Sequence, residues 1–266
     1  MNRRTHRAGR PRLLYLGHNL PFPPVEGALI RSYHTVRLLS RTFDVSAIYF
    51  FRRGAHASEE ARRVALRELK RFGPATVHPI SQEFSRTRFA WDHVRSLLTR
   101  TPYTRWSYES EDVRTRLSEE FGGDGFDMIH VDSLDLMAYL PAFVSSRMPV
   151  VLAHHNVESS LLRRRAEPER RLKRAYIKHQ ANLVARAERE WAPRVALNVT
   201  VSEDDAALLN QIAPEAEVFV VPNGVDTTAF APNEKEPQGG IVFVGGTLGF
   251  RTLMEWDFSV VRFCRS

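Results

Sequence analysis

The chain has 266 residues, 43% of them hydrophobic and 26% charged, with a formal net charge of +7 and one cysteine, Cys264. Such a composition belongs to globular material able to bury a core, and a single cysteine excludes disulfide frameworks and cysteine-rich metal sites. No run of about 18 uncharged apolar residues occurs, so a membrane-spanning helix is not expected.

The opening MNRRTHRAGRPR lacks the apolar core of a secretory signal, and residues 1–11 are expected to form a disordered basic arm. With so little cysteine, a reducing cytoplasmic setting is expected. RLLYLGH is a short apolar run, read as a strand. ALIRSYHTVRLLSR follows with helical spacing at Ile30, Tyr33, Val36 or Arg37, and Leu38. FDVSAIYFF (strand), SEEARRVALRELKRF (helix) and ATVHPI (strand) continue the alternation. Two helices are expected in FAWDHVRSLLTR and SYESEDVRTRLSEEF, with TPYTRW as a breaker between them.

FDMIHVDS reads as a strand, LDLMAYLPAF as a helix with a late proline, and PVVLAHH as a strand. A long charged helix is expected from about Val157 to Trp191, broken near Pro168. VALNVTVS (strand), EDDAALLNQI (helix) and AEVFVV (strand) lead to PNGVD, whose Asn223 and Gly224 mark a hinge. Alternating strands and helices predict a doubly wound, Rossmann-like parallel sheet of about seven strands over 12–222. The apolar VVLA and VFVV fit strands covered on both faces. A linker is expected over 223–240, and IVFVGG opens a last segment at 241–266.

Basic charge concentrates in the leading arm and in RRRAEPERRLKR at 163–174, between Arg163 and Arg174. It fits an acidic lipid surface or a solvated helix face. Nucleic acid is not an expected partner, because no recognition motif or interleaved aromatics accompany the charge.

In doubly wound sheets ligands bind beyond the carboxyl ends of the strands, so the residues just after each strand are the candidates. After the first, Gly27 opens a helix whose N–H groups suit an anion, with Arg31 one turn in; a plain turn glycine and surface arginine are the alternative. A full G-x-G-x-x-G is absent, against a dinucleotide enzyme. After the fourth, Asp132 could meet a ligand hydroxyl, or it and Ser133 could cap the next helix. After the fifth, AHHNVES holds the densest polar cluster: His154, His155, Asn156 and Glu158. A histidine there can act as a base or orient a phosphate; alternatively Asn156 caps the helix and Glu158 fills its first turn. These residues have no metal-ligand spacing, so no metal is expected. After the sixth, Ser202 reads as an N-cap.

Together and in this order, LPFPPVEGALIRSYHTVRLL, DMIHVDS, VVLAHHNVES, VTVSEDDAALL and VFVVPNGVDTTAFAP resemble landmarks of the family 4 glycosyltransferases, over about 12–246. The resemblance implies the N-terminal half of a two-domain GT-B fold, which mainly holds the acceptor, while the C-terminal domain holds most of the nucleotide-sugar. It implies sugar transfer to a polysaccharide or lipid-linked acceptor, with no cofactor beyond the nucleotide-sugar substrate. His155 matches the family's cleft histidine and is the candidate catalytic residue. Gly27, Arg31, Asp132, Asn156, Glu158 and Ser202 are candidate substrate-binding residues, and Gly27 is preceded by Glu26 where the family often has a second glycine. PNGVD matches the lead into the second domain. The family's E-x7-E donor motif has no counterpart after it; Glu60 with Glu68 and Glu111 with Glu119 have the spacing but lie in the N-terminal half. A truncated, inactive chain is therefore expected, cytoplasmic or peripheral on the inner membrane face. Two other readings are a non-catalytic acceptor- or lipid-binding half-domain and a sugar-nucleotide epimerase of the GT-B fold.

Overall fold

The computed structural model describes residues 9–54, 56–121, 125–146 and 148–227. The expected segments at 1–8 and 228–266, including IVFVGG and Cys264, lie outside them. The chain divides between Asn223 and Gly224 into two units, and the sheet belongs to the first.

Strands β1 (Arg12–Gly17), β2 (Asp44–Phe51) and β3 (Ala75–Pro79) are joined by α1 (Gly27–Leu39) and α2 (Glu59–Leu69). Helices α3 (Ser81–Phe84), α4 (Arg86–Thr99), α5 (Tyr103–Ser107) and α6 (Glu111–Phe121) precede β4 (Met128–Val131). A short 3-10 turn and α7 (Leu140–Ser145) lead to β5 (Val150–Ala153). The helical pair α8 (Glu158–Ala166) and α9 (Arg171–Trp191) leads to β6 (Leu197–Thr200), α10 (Glu203–Ile212) and β7 (Val218–Val220).

All seven strands pair in parallel, in the order β3-β2-β1-β4-β5-β6-β7. The expected doubly wound α/β fold is therefore present. The period-two alternation of β1 divides the core between the two faces of the sheet. Leu13 and Tyr15 pack with Val36 of α1 and Ala65 and Leu69 of α2. Leu14 and Leu16 face the other way, toward Val113 and Leu117 of α6, Phe143 of α7 and Val184 of α9. Each such fully buried leucine contributes roughly 1.5–3 kcal/mol of transfer free energy, so the central strands anchor the fold.

Close packing is absolute at two glycines. A Cβ on Gly17 would sit 2.6 Å from Tyr49 Cδ1. Gly73, at φ +153°, would place a Cβ 2.0 Å from the Val45 carbonyl oxygen.

Several local expectations are corrected. TPYTRW does separate the two expected helices, α4 ending at Thr99 with Arg100 left-handed, but it also carries a short helix of its own, α5, with Pro102 at the N-cap. Pro141 likewise starts α7 rather than interrupting a longer helix. On α1, Ile30 and Leu38 are exposed, and the inward residues are Ser32 and Val36. The reason is that this helix covers a polar strand end as well as the core. β7 is an edge strand, so Phe219 lies 60% exposed and VFVV is not covered on both faces. The long charged helix does break around Pro168, giving α8 and α9.

Candidate functional site

From β1 the chain winds toward β2 and β3, and from β4 it winds the opposite way, so the β1–β4 boundary is the topological switch point where such sheets open a crevice. Asp132 sits there, one residue past β4, only 1% exposed, its amide donating to the Leu16 carbonyl at 2.9 Å. Its carboxylate is the hub of the site. Oδ2 accepts from Ser32 Oγ at 2.6 Å and lies 3.1 Å from His18 Nδ1. Oδ1 faces His155 Nε2 at 3.5 Å. The rings of His18 and His155 lie 5.0 Å apart and tilted, each against a different oxygen of the carboxylate.

The electrostatics follow from this wiring. Burial alone would raise the Asp132 carboxyl, but the His155 charge and the hydrogen bonds around it win, and the group is held well below its usual range. Burial alone would lower His155; the Asp132 charge outweighs it and the imidazole is raised above its ordinary value. The Tyr15 and Tyr49 hydroxyls are driven up, first by burial and then by the Asp132 charge. His130, stacked on Tyr15 with ring centroids 5.0 Å apart, is pushed down to about 4 by burial and stays neutral.

Three buried polar atoms at this strand end have no hydrogen-bond partner among the described residues, Tyr15 Oη, Tyr49 Oη and His130 Nε2, and His155 Nε2 has only the long 3.5 Å approach to Asp132. Buried polar atoms are rarely left so in proteins, and a ligand or water supplying the missing bonds is the usual resolution.

The two adjacent histidines have separate fates. His154 points inward, its Nε2 3.0 Å from Asn198 Oδ1, and burial pushes it down to about 4. Asn198 in turn donates to the carbonyls of Ala192 and Glu217. His155 alone faces Asp132. Asn156 is not the helix cap, since Val157 holds that position without a side-chain cap, and Asn156 makes no hydrogen bond among the described residues. Glu158 occupies the first turn of α8, where burial first and the Asp135 charge second push its carboxyl up to about 7. Ser133, not Asp132, caps the following turn, accepting from the Asp135 amide at 3.1 Å.

Gly27 begins α1 with open space around it, and Glu26 caps without a side-chain bond. Arg31 reaches the chain leaving the sheet: Nη1 donates to Asn223 Oδ1 at 2.8 Å and Nη2 to the Val221 carbonyl at 2.9 Å. Burial lowers this guanidinium, while Asp132 and Tyr15 lie near enough to counter part of the effect. Ser202 is engaged within its own helix, its Oγ accepting from the Asp205 amide at 3.1 Å and donating to the Asp205 carboxylate at 2.7 Å. Of the candidate residues, then, the fold gathers Asp132 and His155 at one point and sets Ser202 to capping.

His18 and Ser32 were not among the candidates. His18 immediately follows a strand and was open to the same strand-end argument; Ser32 carried no signal, being a small residue inside a helix. The ligand atoms of His18, Asp132 and His155 lie within 4.8 Å of one another, so these three are the described residues able to hold a cation. No spacing along the chain announces them, because each comes from a different strand end.

A seven-stranded parallel sheet with flanking helices defines a Rossmann-like α/β domain, with an acid–histidine cluster at its switch point. The sequence profile of Glycosyltransferase Family 4 matches residues 26–229, and the chain belongs to that family. The matched span runs from the residue before α1 to just past the Asn223–Gly224 division, as the N-terminal domain of a GT-B fold should. At family level the chain is a glycosyltransferase, a class that moves sugar from a nucleotide-sugar donor to a glycan acceptor. No curated protein matches it.

Proposed function

We propose that this domain forms the acceptor side of a sugar transfer from a nucleotide-sugar donor to a polysaccharide or lipid-linked acceptor, with His155 as the group that handles the acceptor hydroxyl. The observation that carries the reading is the Asp132–His155 pair at the switch point, 3.5 Å apart and nearly enclosed. A buried carboxylate orients an imidazole and stabilises the imidazolium, which makes that imidazole a stronger proton acceptor.

In the transfer, the acceptor oxygen forms a bond to the anomeric carbon while the bond from that carbon to the diphosphate breaks. The hydroxyl proton goes to the His155 ring nitrogen opposite the one facing Asp132, and the nucleoside diphosphate leaves with the electron pair. Asp132 balances the charge that His155 gains. His18 and Ser32 position Asp132 by engaging its other oxygen. In this proposal Glu158, with its carboxyl raised to about 7, and Asn156, beside His155 in the same strand-end segment, contact acceptor hydroxyls. The open first turn of α1 at Gly27 suits an anion such as the donor phosphate. Arg31 keeps Asn223 against the sheet domain, and Asn223–Gly224 serves as the hinge of the reading. One wall of a cleft orients one substrate, so the described domain by itself is expected to bind rather than turn over. The basic 163–174 segment then lies against the acidic inner face of a membrane, where lipid-linked acceptors are held.

The test is to incubate the chain with a panel of UDP-, GDP- and ADP-sugars and a lipid-linked acceptor fraction, reading both nucleoside diphosphate release and acceptor binding. Retention of acceptor by the wild type, lost in His155→Ala and kept in His154→Ala, supports the assignment. Equal retention by all three overturns it.

A further inference from the structure

Two imidazoles converge on the Asp132 carboxylate, and the three groups together offer a chemistry that proton handling does not exhaust. His18 Nδ1 stands 3.1 Å from Oδ2, and His155 Nε2 stands 3.5 Å from Oδ1. One ligand atom from each residue lies within 4.8 Å of the other two. A zinc ion, about 2.0–2.1 Å from its nitrogen and oxygen ligands, keeps tetrahedral neighbours about 3.3 Å from one another. The two contacts to the carboxylate bracket that value, and a rotation of one ring brings all three groups onto a single ion. The approach of His155 Nε2 is long for a hydrogen bond and ordinary for two ligands of one metal.

The donor set selects the ion. Two imidazole nitrogens and one carboxylate oxygen are the set of zinc sites that leave a fourth position to water. Imidazole suits zinc and its first-row neighbours, whereas magnesium and calcium take oxygen ligands.

The surroundings support a metal as well. Ser32 Oγ donates to Asp132 Oδ2 at 2.6 Å, and the Asp132 amide donates to the Leu16 carbonyl at 2.9 Å. The central ligand is therefore fixed before an ion arrives, which is what hydrogen bonds around a metal ligand do. His18 and Asp132 are 7% and 1% exposed, so the ion would be nearly dry. Glu158 adds negative charge near His155 and Arg31 opposes it, but the Arg31 guanidinium is held to Asn223 and the Val221 carbonyl. His154 and His130 do not join, the first turned to Asn198 and the second stacked on Tyr15.

A metal on Nε2 has a defined effect on His155. A neutral imidazole carries one proton, so coordination at Nε2 leaves that proton on Nδ1. Nδ1 is the nitrogen opposite the one facing Asp132, and in this tautomer it donates a hydrogen bond and cannot take a proton. The ligands bind deprotonated, so any proton on His155 Nε2 or His18 Nδ1 is given up to water.

We propose that His18, Asp132 and His155 bind one zinc ion, and that the ion locks His155 in the tautomer unable to accept a proton, silencing the site. The silencing rests on the acceptor reading above; the binding does not.

The experiment is titration of the untagged 266-residue chain with Zn²⁺ by calorimetry in a non-chelating buffer, with Co²⁺ as the spectroscopic stand-in. Wild type should bind one equivalent, and Co²⁺ should give the intense visible bands of a four-coordinate site. His18→Ala and His155→Gln should each weaken binding more than about a hundredfold, beyond the loss expected for a supporting group. Ser32→Ala, which removes only such a group, should weaken it about tenfold. His34→Ala, a control for stray imidazoles, should bind like wild type. Zinc should raise the Tm of wild type and leave that of His155→Gln in place, since only the form that binds is stabilised. Imidazole NMR of wild type decides the case even where a variant fails to fold: zinc should shift His18 and His155 together and fix the His155 proton on Nδ1. No binding, binding that neither His18→Ala nor His155→Gln alters, or unmoved His18 and His155 signals overturns the proposal. Acceptor retention is scored separately in zinc-free buffer, so a chain that binds zinc and retains no acceptor overturns the acceptor reading alone.

Discussion

Replacing Asp132 by Asn tests the electrostatic core of the site. The amide keeps the shape of the carboxylate and can still accept from Ser32 and lie against His18 with its oxygen. It cannot offer a negative charge to His155, 3.5 Å from the other carboxylate oxygen. Two charge-assisted contacts become neutral ones, and one enclosed ion pair is lost; the relief of a buried charge offsets part of this. The net cost is about 2 kcal/mol below neutral pH. For a domain of this size that is a fall in Tm of about 4–8 °C. The sign of the pH dependence follows from the two shifts. Asp132 is held below its ordinary 3.8, so its contribution is present above that value and is lost as pH falls through the depressed one. His155 is raised above its ordinary 6.5, so its contribution is complete below that value and is lost as pH rises through the raised one. The gap between wild type and Asp132→Asn should therefore be widest near about pH 5 and narrow toward about pH 9. Thermal melts followed by circular dichroism across that range measure it. A gap that widens with pH, or a variant as stable as wild type at about pH 5, refutes the reasoning.

Other substitutions probe the frame around the site. Gly73→Ala forces a Cβ to within 2.0 Å of the Val45 carbonyl at a backbone angle closed to alanine; it should cost several kcal/mol and yield little soluble protein, on the order of the largest single-site effects, whereas Gly54→Ala, with open space, should express and melt like wild type. Arg31→Ala removes both bonds to Val221 and Asn223, so limited proteolysis within 221–227 should accelerate severalfold while the sheet core stays protected; unchanged cleavage would show that the arginine does not hold this segment. Glu158→Gln should leave stability unchanged near about pH 4 and raise it relative to wild type above about pH 7, because the fold disfavours the ionised carboxylate; a variant less stable at high pH would contradict the assigned shift.

The fold was largely legible because its determinants are local. Apolar runs such as LLYL and VVLA can only be strands when helix-period segments separate them, and alternation alone then implies parallel pairing. What escaped was set by distant parts of the chain. Ser32 lies one hundred positions from Asp132 along the chain, yet their hydrogen bond is 2.6 Å long; nothing near Ser32 foretells it. The helical stripe on α1 was drawn through Ile30 and Leu38, but the helix rotates so that Ser32 meets the buried carboxylate. His155 and Asp132 were legible as strand-end residues, whereas their partnership required the strand order. FAWDHVRSLLTR was read correctly as a helix, but its periodicity could not say which face turns inward; the polar contacts from α9 decide that. Pro141 shows a simpler limit: a proline at a helix start and a proline ending one look alike in the sequence.

The most direct test of the central claim is histidine NMR of the chain during titration with nucleotide-sugars and with glycan or lipid-linked acceptors. The account predicts that at least one acceptor shifts the His155 ring signals saturably, leaves those of His154 in place, and loses its effect in Asp132→Asn. If an acceptor that the chain binds moves other residues and leaves His155 untouched, the site is not at the switch point.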